Sequence, residues 1–370
     1  MNYPVITLKR GKEDSLRRFH PWVFSGAVAR MPENIEEGDI VEVRSSAGDL
    51  LGIGHYQIGS IVVRMLEFGA VRAIDGDFFT ERLGAAYALR RALGLIRPDN
   101  DAYRLVHGEG DFLPGLVVDI YGRTAVVQAH SPGMHFCRDL IARALTELPG
   151  LSVSNVYYKS ETTLPYKAHL DPQNQYIIGE YSGSVAVENG LSFNIDWLRG
   201  QKTGFFVDQR DNRSLLEKFA GGRRVLNMFC YTGGFSVYAL RGGAELVHSV
   251  DSSAKAVELT RANVELNFPG CTRHEAYAVD AFKYLADIEK GQYDLIVLDP
   301  PAFAKHRSAL RNALIGYRRL NARAFEQIAP GGILFTFSCS QAVSREQFRL
   351  AVFTAAASTG RKVRILHQLT

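Results

Sequence analysis

The C-terminal part of the sequence predicts an α/β fold built on an open parallel sheet. After Gly221-Gly222, strand-like apolar runs alternate with helical segments of ten or more residues. Repeated β–α units of this kind place their strands side by side in parallel and cover the sheet with helices. The predicted strands are 224–229, 246–251, 275–279, 293–298, 332–338 and 362–367.

Length and composition agree with a folded protein of several domains. The chain has 370 residues, of which 46% are hydrophobic and 22% are charged, so disorder is excluded. No apolar run reaches the roughly 18 residues that a membrane span needs, and the N-terminus lacks the apolar core of a secretory signal. The four cysteines have no CxxC spacing, so we expect a cytoplasmic protein without a metal site or disulfide framework. The net charge of +4 permits a nucleic-acid partner without indicating one.

The N-terminal segment predicts a small β-barrel that carries positive charge. Its strands are short and are separated by turns rich in Gly, Asp and Ser. Lys9, Arg17 and Arg18 lie in the same segment. The predicted strands include 40–44, 50–54 and 61–66.

The middle of the chain predicts an α+β unit. A helical stripe of apolar residues begins near Phe78, and a hairpin follows over 115–129. A helix over 133–147 and a strand over 153–159 complete this unit, and a second hairpin turns at Asn189-Gly190. The predicted domains are 1–72, 73–183 and 184–370, the last beginning with a hairpin and linker over 184–210.

The first two strands of the C-terminal sheet end in residues suited to a nucleoside-like cofactor. Gly233 and Gly234 follow the first strand, and Asp251 ends the second, 18 residues after Gly233. An acidic residue at about this distance binds ribose hydroxyls, and the absence of a G-x-G-x-x-G pattern disfavours a dinucleotide. S-adenosylmethionine (SAM) is the leading candidate, with Asp280 suited to the adenine amino group. The alternatives are a tight turn at the glycines and helix caps at Asp251 and Asp280.

The fourth strand ends in a rigid acidic segment. Asp299 is followed by two prolines, which fix the local backbone, and Phe303 comes soon after them. This segment can present a carboxylate and an aromatic ring to a flat base. A simple stop after the strand is the alternative explanation for the prolines.

The fifth strand ends in Ser338-Cys339-Ser340, and a capping-box pattern follows at 344–347. A nearby helix N-terminus favours the thiolate, so Cys339 is a candidate nucleophile, or else a small buried apolar residue. Cys230 is a weaker candidate, and Cys137 and Cys271 are predicted to be structural.

Several of these segments carry a family resemblance. They resemble the motifs of SAM-dependent ribosomal RNA methyltransferases, and in particular the bacterial 23S rRNA (cytosine-5) large-subunit methyltransferases that begin with a PUA domain. The segments are 20–26, 200–210, 226–236, 251–253, 299–303 and 338–340.

The resemblance implies a Rossmann-like class I methyltransferase sheet at the C-terminus, an N-terminal PUA β-barrel that binds RNA, and a middle α+β domain. It implies SAM as the methyl donor and 23S rRNA as the partner, with the protein acting as a monomer or homodimer. The cofactor-binding residues would be Gln201, Lys202, Thr203, Phe206, Asn227, Tyr231, Thr232, Gly233, Asp251, Ser252, Asp280 and Asp299. The RNA-binding residues would be Lys9, Arg17, Arg18 and Phe303.

The resemblance also implies a covalent mechanism, in which the Cys339 thiolate attacks carbon-6 of cytosine and Asp299 stabilises the intermediate. The alternatives are methylation of a guanine nitrogen, which needs no thiol, and an RNA-binding assembly factor without catalysis. The sequence departs from the family at two points. The chain stops after the predicted sixth strand, where we expect a seventh antiparallel strand, and Cys230 stands in place of a serine. We therefore expect a truncated chain with an open sheet edge.

Overall fold

A six-stranded mixed sheet forms the N-terminal part of the protein in the computed structural model, which describes residues 2–165, 168–304 and 306–369. The strand order is β2-β6-β5-β4-β1-β3, and β1 and β4 form its parallel pair. Ile6, Val41 and Val63 are fully buried in the core of this sheet. The elements are β1 (Val5–Leu8), α1 (Asp14–Arg17), β2 (Trp22–Phe24), β3 (Val28–Arg30), β4 (Ile40–Arg44), β5 (Leu50–Tyr56) and β6 (Ile61–Phe68).

A five-stranded sheet, the middle sheet, follows in the order β11-β10-β9-β8-β7. The predicted helix over 133–147 is two helices, because the backbone departs from helical geometry at Cys137. The predicted 115–129 hairpin is confirmed as the antiparallel pair of β8 and β9. The elements are α2 (Gly76–Ala92), β7 (Ala102–His107), β8 (Leu116–Tyr121), β9 (Thr124–Ala129), α3 (Pro132–Phe136), α4 (Arg138–Glu147), β10 (Asn155–Tyr158) and β11 (Gln175–Ile178).

A hairpin of β12 (Val185–Glu188) and β13 (Leu191–Asn194) turns at Asn189-Gly190, as predicted. The chain forms two compact units that share this hairpin. The first unit comprises Met1–Gly190 and Ile195–Val207, and the second comprises Leu191–Asn194 and Asp208–Thr370. The finer division at residues 72 and 183 stays a prediction.

The second unit contains a five-stranded sheet in the order β16-β15-β14-β17-β18, with every strand pair parallel. The predicted α/β fold is therefore confirmed. No helix within the described ranges is both long and apolar enough to cross a membrane. The elements are α5 (Arg210–Ala220), β14 (Arg224–Met228), α6 (Gly234–Arg241), β15 (Leu246–Asp251), α7 (Ala254–Asn267), β16 (His274–Ala278), α8 (Ala281–Asp287), β17 (Leu295–Leu298), α9 (Leu310–Gln327), β18 (Ile333–Thr336) and α10 (Arg345–Ser358).

The central strand of this sheet is β14, and its position determines where a ligand can bind. Met228, its last residue, pairs with Val250 of β15 on one side and with Leu298 of β17 on the other. The chain order of the strands therefore reverses between β14 and β17. In open α/β sheets, ligands bind beyond the carboxyl ends of the strands at such a reversal.

The predicted sixth strand, 362–367, is wrong. Residues 361–369 form neither helix nor strand, and β18 pairs with β17 alone among the described strands. Val363 and Ile365 alternate with Lys362 and Arg364 as in a strand, but both apolar side chains are exposed. A strand needs a hydrogen-bonding partner, and alternation in the sequence cannot supply one.

Candidate active site

The loop after β14 has a strained backbone at the point where the strand order reverses. Phe229, Tyr231 and Gly233 have positive φ angles of 59°, 47° and 79°. Such angles are unfavourable for residues with a side chain and persist where the surroundings enforce them. At Gly233 a side chain is also excluded by space, because a Cβ atom there would lie 2.6 Å from Cγ2 of Thr260.

Side chains from β15 and α7 hold this loop in place. The carboxylate of Asp251 accepts a hydrogen bond from the backbone N–H of Tyr231 at 3.0 Å. Thr260 donates its hydroxyl to the Tyr231 carbonyl at 2.9 Å, and Asn263 donates its side-chain amide to the Thr232 carbonyl at 2.8 Å. The loop is therefore a preformed turn whose glycine leaves the backbone open to a ligand.

Asn227 presents an unsatisfied acceptor in the central strand. Its side-chain N–H donates to Ser236 at 2.8 Å, while its buried Oδ1 has no hydrogen-bond partner among the described residues. The hydroxyl of Ser236 shares a hydrogen bond with the hydroxyl of Ser249 at 2.7 Å, and the Ser249 hydroxyl shares another with Nε2 of His274 at 2.8 Å. Burial, mainly, lowers the pKa of His274 to about 4, so this relay is uncharged at neutral pH. A buried acceptor without a donor fits a cofactor that carries N–H groups.

The acidic residues after β15 and β16 already make contacts with the backbone. Asp280 caps α8 by accepting from the N–H of Lys283 at 2.9 Å, as its alternative interpretation predicted. The cap of α7 is Ser253 rather than Asp251. Asp251 is half-buried, and Asp280 and Ser252 are exposed. An ionised carboxylate can accept several hydrogen bonds, so these contacts leave acceptor capacity for ribose or adenine.

Asp299, at the end of β17, has a perturbed acidity. Its Oδ2 accepts a hydrogen bond from Gln209 at 3.2 Å, and Gln209 is oriented by Asn212 at 2.7 Å. The pKa of Asp299 is raised to about 7, mainly by burial and also by the charge of Asp208, while the charge of Arg213 opposes the rise. Both protonation states of Asp299 are therefore accessible near neutral pH, as is typical of catalytic acids.

Cys339 lies beside the segment that Asp299 begins. Its exposed thiol donates to the Pro300 carbonyl, with 3.6 Å between sulfur and oxygen. The neighbouring Ser340 accepts from the N–H of Ala304 at 3.1 Å and shares a hydrogen bond with Tyr317 at 2.8 Å. The loops after β17 and β18 are thus joined, and the candidate nucleophile and the candidate acid share one edge of the sheet.

The other cysteines are poorly suited to nucleophilic chemistry. Burial raises the pKa of Cys230 to about 12 and that of Cys137 to about 11. Neither thiol is ionised near neutral pH. Cys271 lies half-buried in the turn before β16.

Phe303 is half-buried, with its ring packed against other aromatic residues. Its centroid lies 4.6 Å from that of Tyr317 and 6.5 Å from that of Phe282. The ring contributes to the core beneath the Asp299 segment, and its stacking on a base stays a prediction.

The predicted cofactor residues of the linker belong to the first unit. Thr203 is buried and donates its hydroxyl to Asp119 at 2.6 Å, Gln201 and Lys202 are exposed, and Phe206 is half-buried. Their part in cofactor binding stays a prediction.

The predicted RNA-binding cations of the N-terminal sheet are all exposed. Lys9 donates to the Gly26 carbonyl at 3.0 Å, Arg17 pairs with Asp49 at 3.1 Å, and Arg18 donates to the Asp14 carbonyl at 3.2 Å. Contacts of this kind on the surface are weak, so the cations can exchange them for phosphate.

The sequence interpretation assigned no role to four residues that complete the site, namely Asp208, Gln209, Tyr317 and Ser340. Asp208 and Gln209 fall within the 200–210 segment that carried the resemblance, so a signal for them existed. Their contact partner, Asp299, lies 90 residues from Gln209 along the chain. For Tyr317 in α9, the sequence holds no comparable signal.

Comparison with known proteins identifies the domains and the family of the chain. Residues 137–367 match the family described as S-adenosylmethionine-dependent methyltransferase, and residues 6–68 match the PUA-like domain. Ribosomal RNA large subunit methyltransferase I of Aeromonas hydrophila is 41% identical over 99% of this chain and 93% of its own length. The protein of the same name from Klebsiella pneumoniae is 38% identical over 99% of this chain and 92% of its own.

A solved structure from Streptococcus mutans, described as a SAM-dependent methyltransferase, shares the fold. Its TM-score is 0.78 at 23% identity, over 95% of this chain and 90% of that one. The unmet acceptor of Asn227 and the open turn at Gly233 fit SAM, which carries an ammonium group, ribose hydroxyls and an adenine. The chain therefore belongs to the family of SAM-dependent methyltransferases that includes ribosomal RNA large subunit methyltransferase I.

Proposed function

We propose that this protein methylates carbon-5 of a cytosine in 23S ribosomal RNA. The main support for the proposal is the hydrogen bond from the exposed Cys339 thiol to the Pro300 carbonyl, because Pro300 directly follows Asp299 in the chain. This chemistry needs a thiol and a carboxyl group at the same ligand-binding edge of the sheet, and the pKa of the carboxyl group has to lie near neutrality, as that of Asp299 does. The names of the relatives, which specify the RNA of the large ribosomal subunit, support the substrate class.

In the second unit, the cofactor would be held by the loop after β14 and by the acidic residues that follow β15 and β16. Gly233 admits the ligand to the backbone, Asn227 offers its free acceptor, and Asp251 accepts from the ribose. SAM, when bound, supplies an electrophilic methyl group. Asp280 would recognise the adenine amino group.

Carbon-5 of cytosine is a poor nucleophile, and Cys339 activates it. Its thiolate adds to carbon-6, and the electrons of the 5,6 double bond make carbon-5 nucleophilic. With SAM bound, carbon-5 would take the methyl group and S-adenosylhomocysteine would leave. Removal of the carbon-5 proton then restores the double bond and expels the thiolate. This covalent route divides one difficult step into easier ones.

Asp299 stabilises the charge that this addition places on the ring. In its protonated form the carboxyl group donates a hydrogen bond to N3, where negative charge develops. The raised pKa keeps enough of that form present at neutral pH. Gln209 orients the carboxyl group through its other oxygen.

The substrate determines the setting of the reaction. A cytosine in a structured RNA has to be flipped out of its stack to reach Cys339, and the cations of the PUA-like domain contact phosphates. Because ribosomal RNA is made and modified in the cytoplasm, we place the protein there, as a monomer or homodimer.

The test is to measure methylated nucleosides by mass spectrometry after incubating the protein and SAM with unmodified 23S RNA. We expect 5-methylcytidine with the native protein and its loss, by at least about a thousandfold in rate, with Cys339→Ala. In 5-fluorocytidine, fluorine replaces the carbon-5 hydrogen, so no proton can be removed after methyl transfer. RNA that contains this nucleoside should therefore trap a covalent complex with the native protein.

Cys271→Ala is the matched control, because it removes a half-buried thiol outside the site and should leave 5-methylcytidine formation intact. Undiminished transfer by Cys339→Ala would contradict the covalent mechanism. A methylguanosine product would replace the proposed chemistry with nitrogen methylation.

A further inference from the structure

The middle sheet has one face that its helices leave uncovered, and most of the residues on that face are polar. Along β8, Val118 and Ile120 point into the core formed with α2 and α4. Because side chains alternate along a strand, Asp119 and Tyr121 point to the opposite face. The polar residues that share this second face, by register with Asp119 or by alternation, are Arg104, Gln128, His130 and Lys159, and the buried Val126 lies among them.

The segment 200–203, the strap, crosses this polar face. At one end, Lys159 donates to the Gly200 carbonyl at 2.6 Å. At the other end, Thr203 donates to Asp119 at 2.6 Å and shares a hydrogen bond with Tyr121 at 2.9 Å. Lys159 follows β10 and Asp119 lies on β8, with β9 between them. The strap therefore spans β9 and is fixed at both ends.

Lys202 is held at the top of the strap. Its backbone has a φ of 48°, an angle that the two anchors impose on a residue with a side chain. Its side chain is exposed and forms no ion pair within the described part of the chain. The ammonium group is thus presented to solvent from a rigid support.

Arg104 and His130 lie near the end of β9 beneath the strap. Arg104 forms a two-fold pair with the buried Asp119 at 2.8 and 2.9 Å, and its remaining nitrogen lies 3.3 Å from His107. His130 has a buried Nε2 without a partner in the described ranges. Burial lowers the pKa of His130, and so do the charges of Arg104, Arg64 and Lys202, whereas Glu109 raises it.

We propose that the strap, held by the residues beneath it, forms a binding site for the phosphodiester backbone of the substrate RNA, with Lys202 as its principal contact. This inference rests on the proposed function and adds a site to the exposed cations of the N-terminal sheet. A cation on an anchored loop binds phosphate without the cost of ordering the loop backbone that carries it. The site reads charge and shape, so it contributes affinity rather than sequence preference.

The test is the salt dependence of RNA binding by the full chain, with a fragment of unmodified 23S RNA as the probe and S-adenosylhomocysteine present. Each lost phosphate contact lowers the slope of log affinity against log salt by about 0.7 for single strands and 0.9 for duplex. We expect Lys202→Gln to lower the slope by that amount and Lys202→Arg to retain it. The melting temperature should not change, since Lys202 is exposed.

Lys290→Gln is the matched control, because it removes the same charge from an exposed turn at the amino ends of the C-terminal sheet. The inference is overturned if Lys202→Gln changes the slope no more than Lys290→Gln does. It is also overturned if Lys202→Gln weakens binding of S-adenosylhomocysteine and leaves RNA affinity intact, because Lys202 would then serve the cofactor. Failure of the native protein to bind the RNA at all would contradict the proposed function instead.

Discussion

Two charged residues, one just before α5 and one in its first turn, shift the pKa of Asp299 in addition to burial. Asp208 raises the pKa by repulsion and Arg213 lowers it by attraction, while burial makes the largest contribution. Asp208 itself is exposed, so it can be changed without disturbing the core. The three residues make the protonation of Asp299 adjustable by substitution.

Asp208→Asn is therefore expected to lower the pKa of Asp299, because the like charge is removed. If the protonated form acts, activity falls as Asp299 ionises, so the alkaline limb of kcat/KM should move to lower pH. The measurement is the pH profile of methyl transfer for the native protein and the variant.

Asp211→Asn provides the control for Asp208→Asn. It removes the same charge from an exposed position in the first turn of α5, away from the groups that shift Asp299. An alkaline limb that stays in place in Asp208→Asn, or moves as far in Asp211→Asn, would show that Asp208 does not control the acid.

At the scale of single elements, the turn from β14 into α6 combines two constraints. Gly233 has a φ of 79°, and its missing side chain leaves room for Thr260 of α7. The same turn offers its backbone to the cofactor. Packing against α7 and ligand binding therefore depend on one residue.

We expect Gly233→Ala to weaken binding of S-adenosylhomocysteine by about tenfold or more, because a Cβ atom forces the turn away from Thr260. Calorimetric titration measures this change. Gly243→Ala is the control, since Gly243 has a φ of 84° but no neighbour closer than 3.8 Å. Equal losses of affinity in the two variants would assign the effect to general instability.

Regular elements of the C-terminal sheet could be predicted where burial dictates the sequence. The run at 224–229 is apolar because β14 is central and covered on both faces, and the structure has that strand at Arg224–Met228. The 362–367 run resembles a strand equally well, but none of the described strands pairs with it. Pairing is a property of the tertiary structure, so local alternation could not distinguish the two.

The candidate site was predictable to the extent that strand ends define it. Asp299 and Cys339 both follow apolar strands, and parallel pairing of β17 with β18 brings their loops together. The contact of Gln209 with Asp299 depends on how α5 packs, which no local pattern encodes. The same holds for the hydrogen bond of Tyr317 to Ser340.

At the scale of the first unit, one carboxylate links the N-terminal sheet to the middle sheet. Glu109 accepts from the indole N–H of Trp22 at 2.8 Å and from Arg64 at 2.9 Å. Arg64 is largely buried, with 14% of its side chain exposed, so loss of its partner is unfavourable. The junction of the two sheets thus depends on a polar contact in addition to apolar packing.

Glu109→Ala is expected to lower the free energy of unfolding by about 1 to 2 kcal/mol, since two donors lose their acceptor. Denaturant unfolding followed by circular dichroism measures it. Glu33→Ala, at an exposed position in the loop between β3 and β4, should have little effect. Equal stability of the two variants would show that Glu109 does not hold the junction.

The path of the chain between the two units has a consequence for folding during synthesis. The chain leaves the first unit after Gly190, contributes Leu191–Asn194 to the second, and returns to the first over Ile195–Val207. A nascent chain emerges in sequence order, so the bonds of Thr203 to Asp119 and of Lys159 to Gly200 form late. The last residues of the first unit are synthesised after β13. The rest of the second unit, into which β13 folds, is synthesised later still. The two units therefore cannot mature one after the other as independent modules, and a stall in translation between residues 190 and 207 would leave the polar face of the middle sheet without its strap.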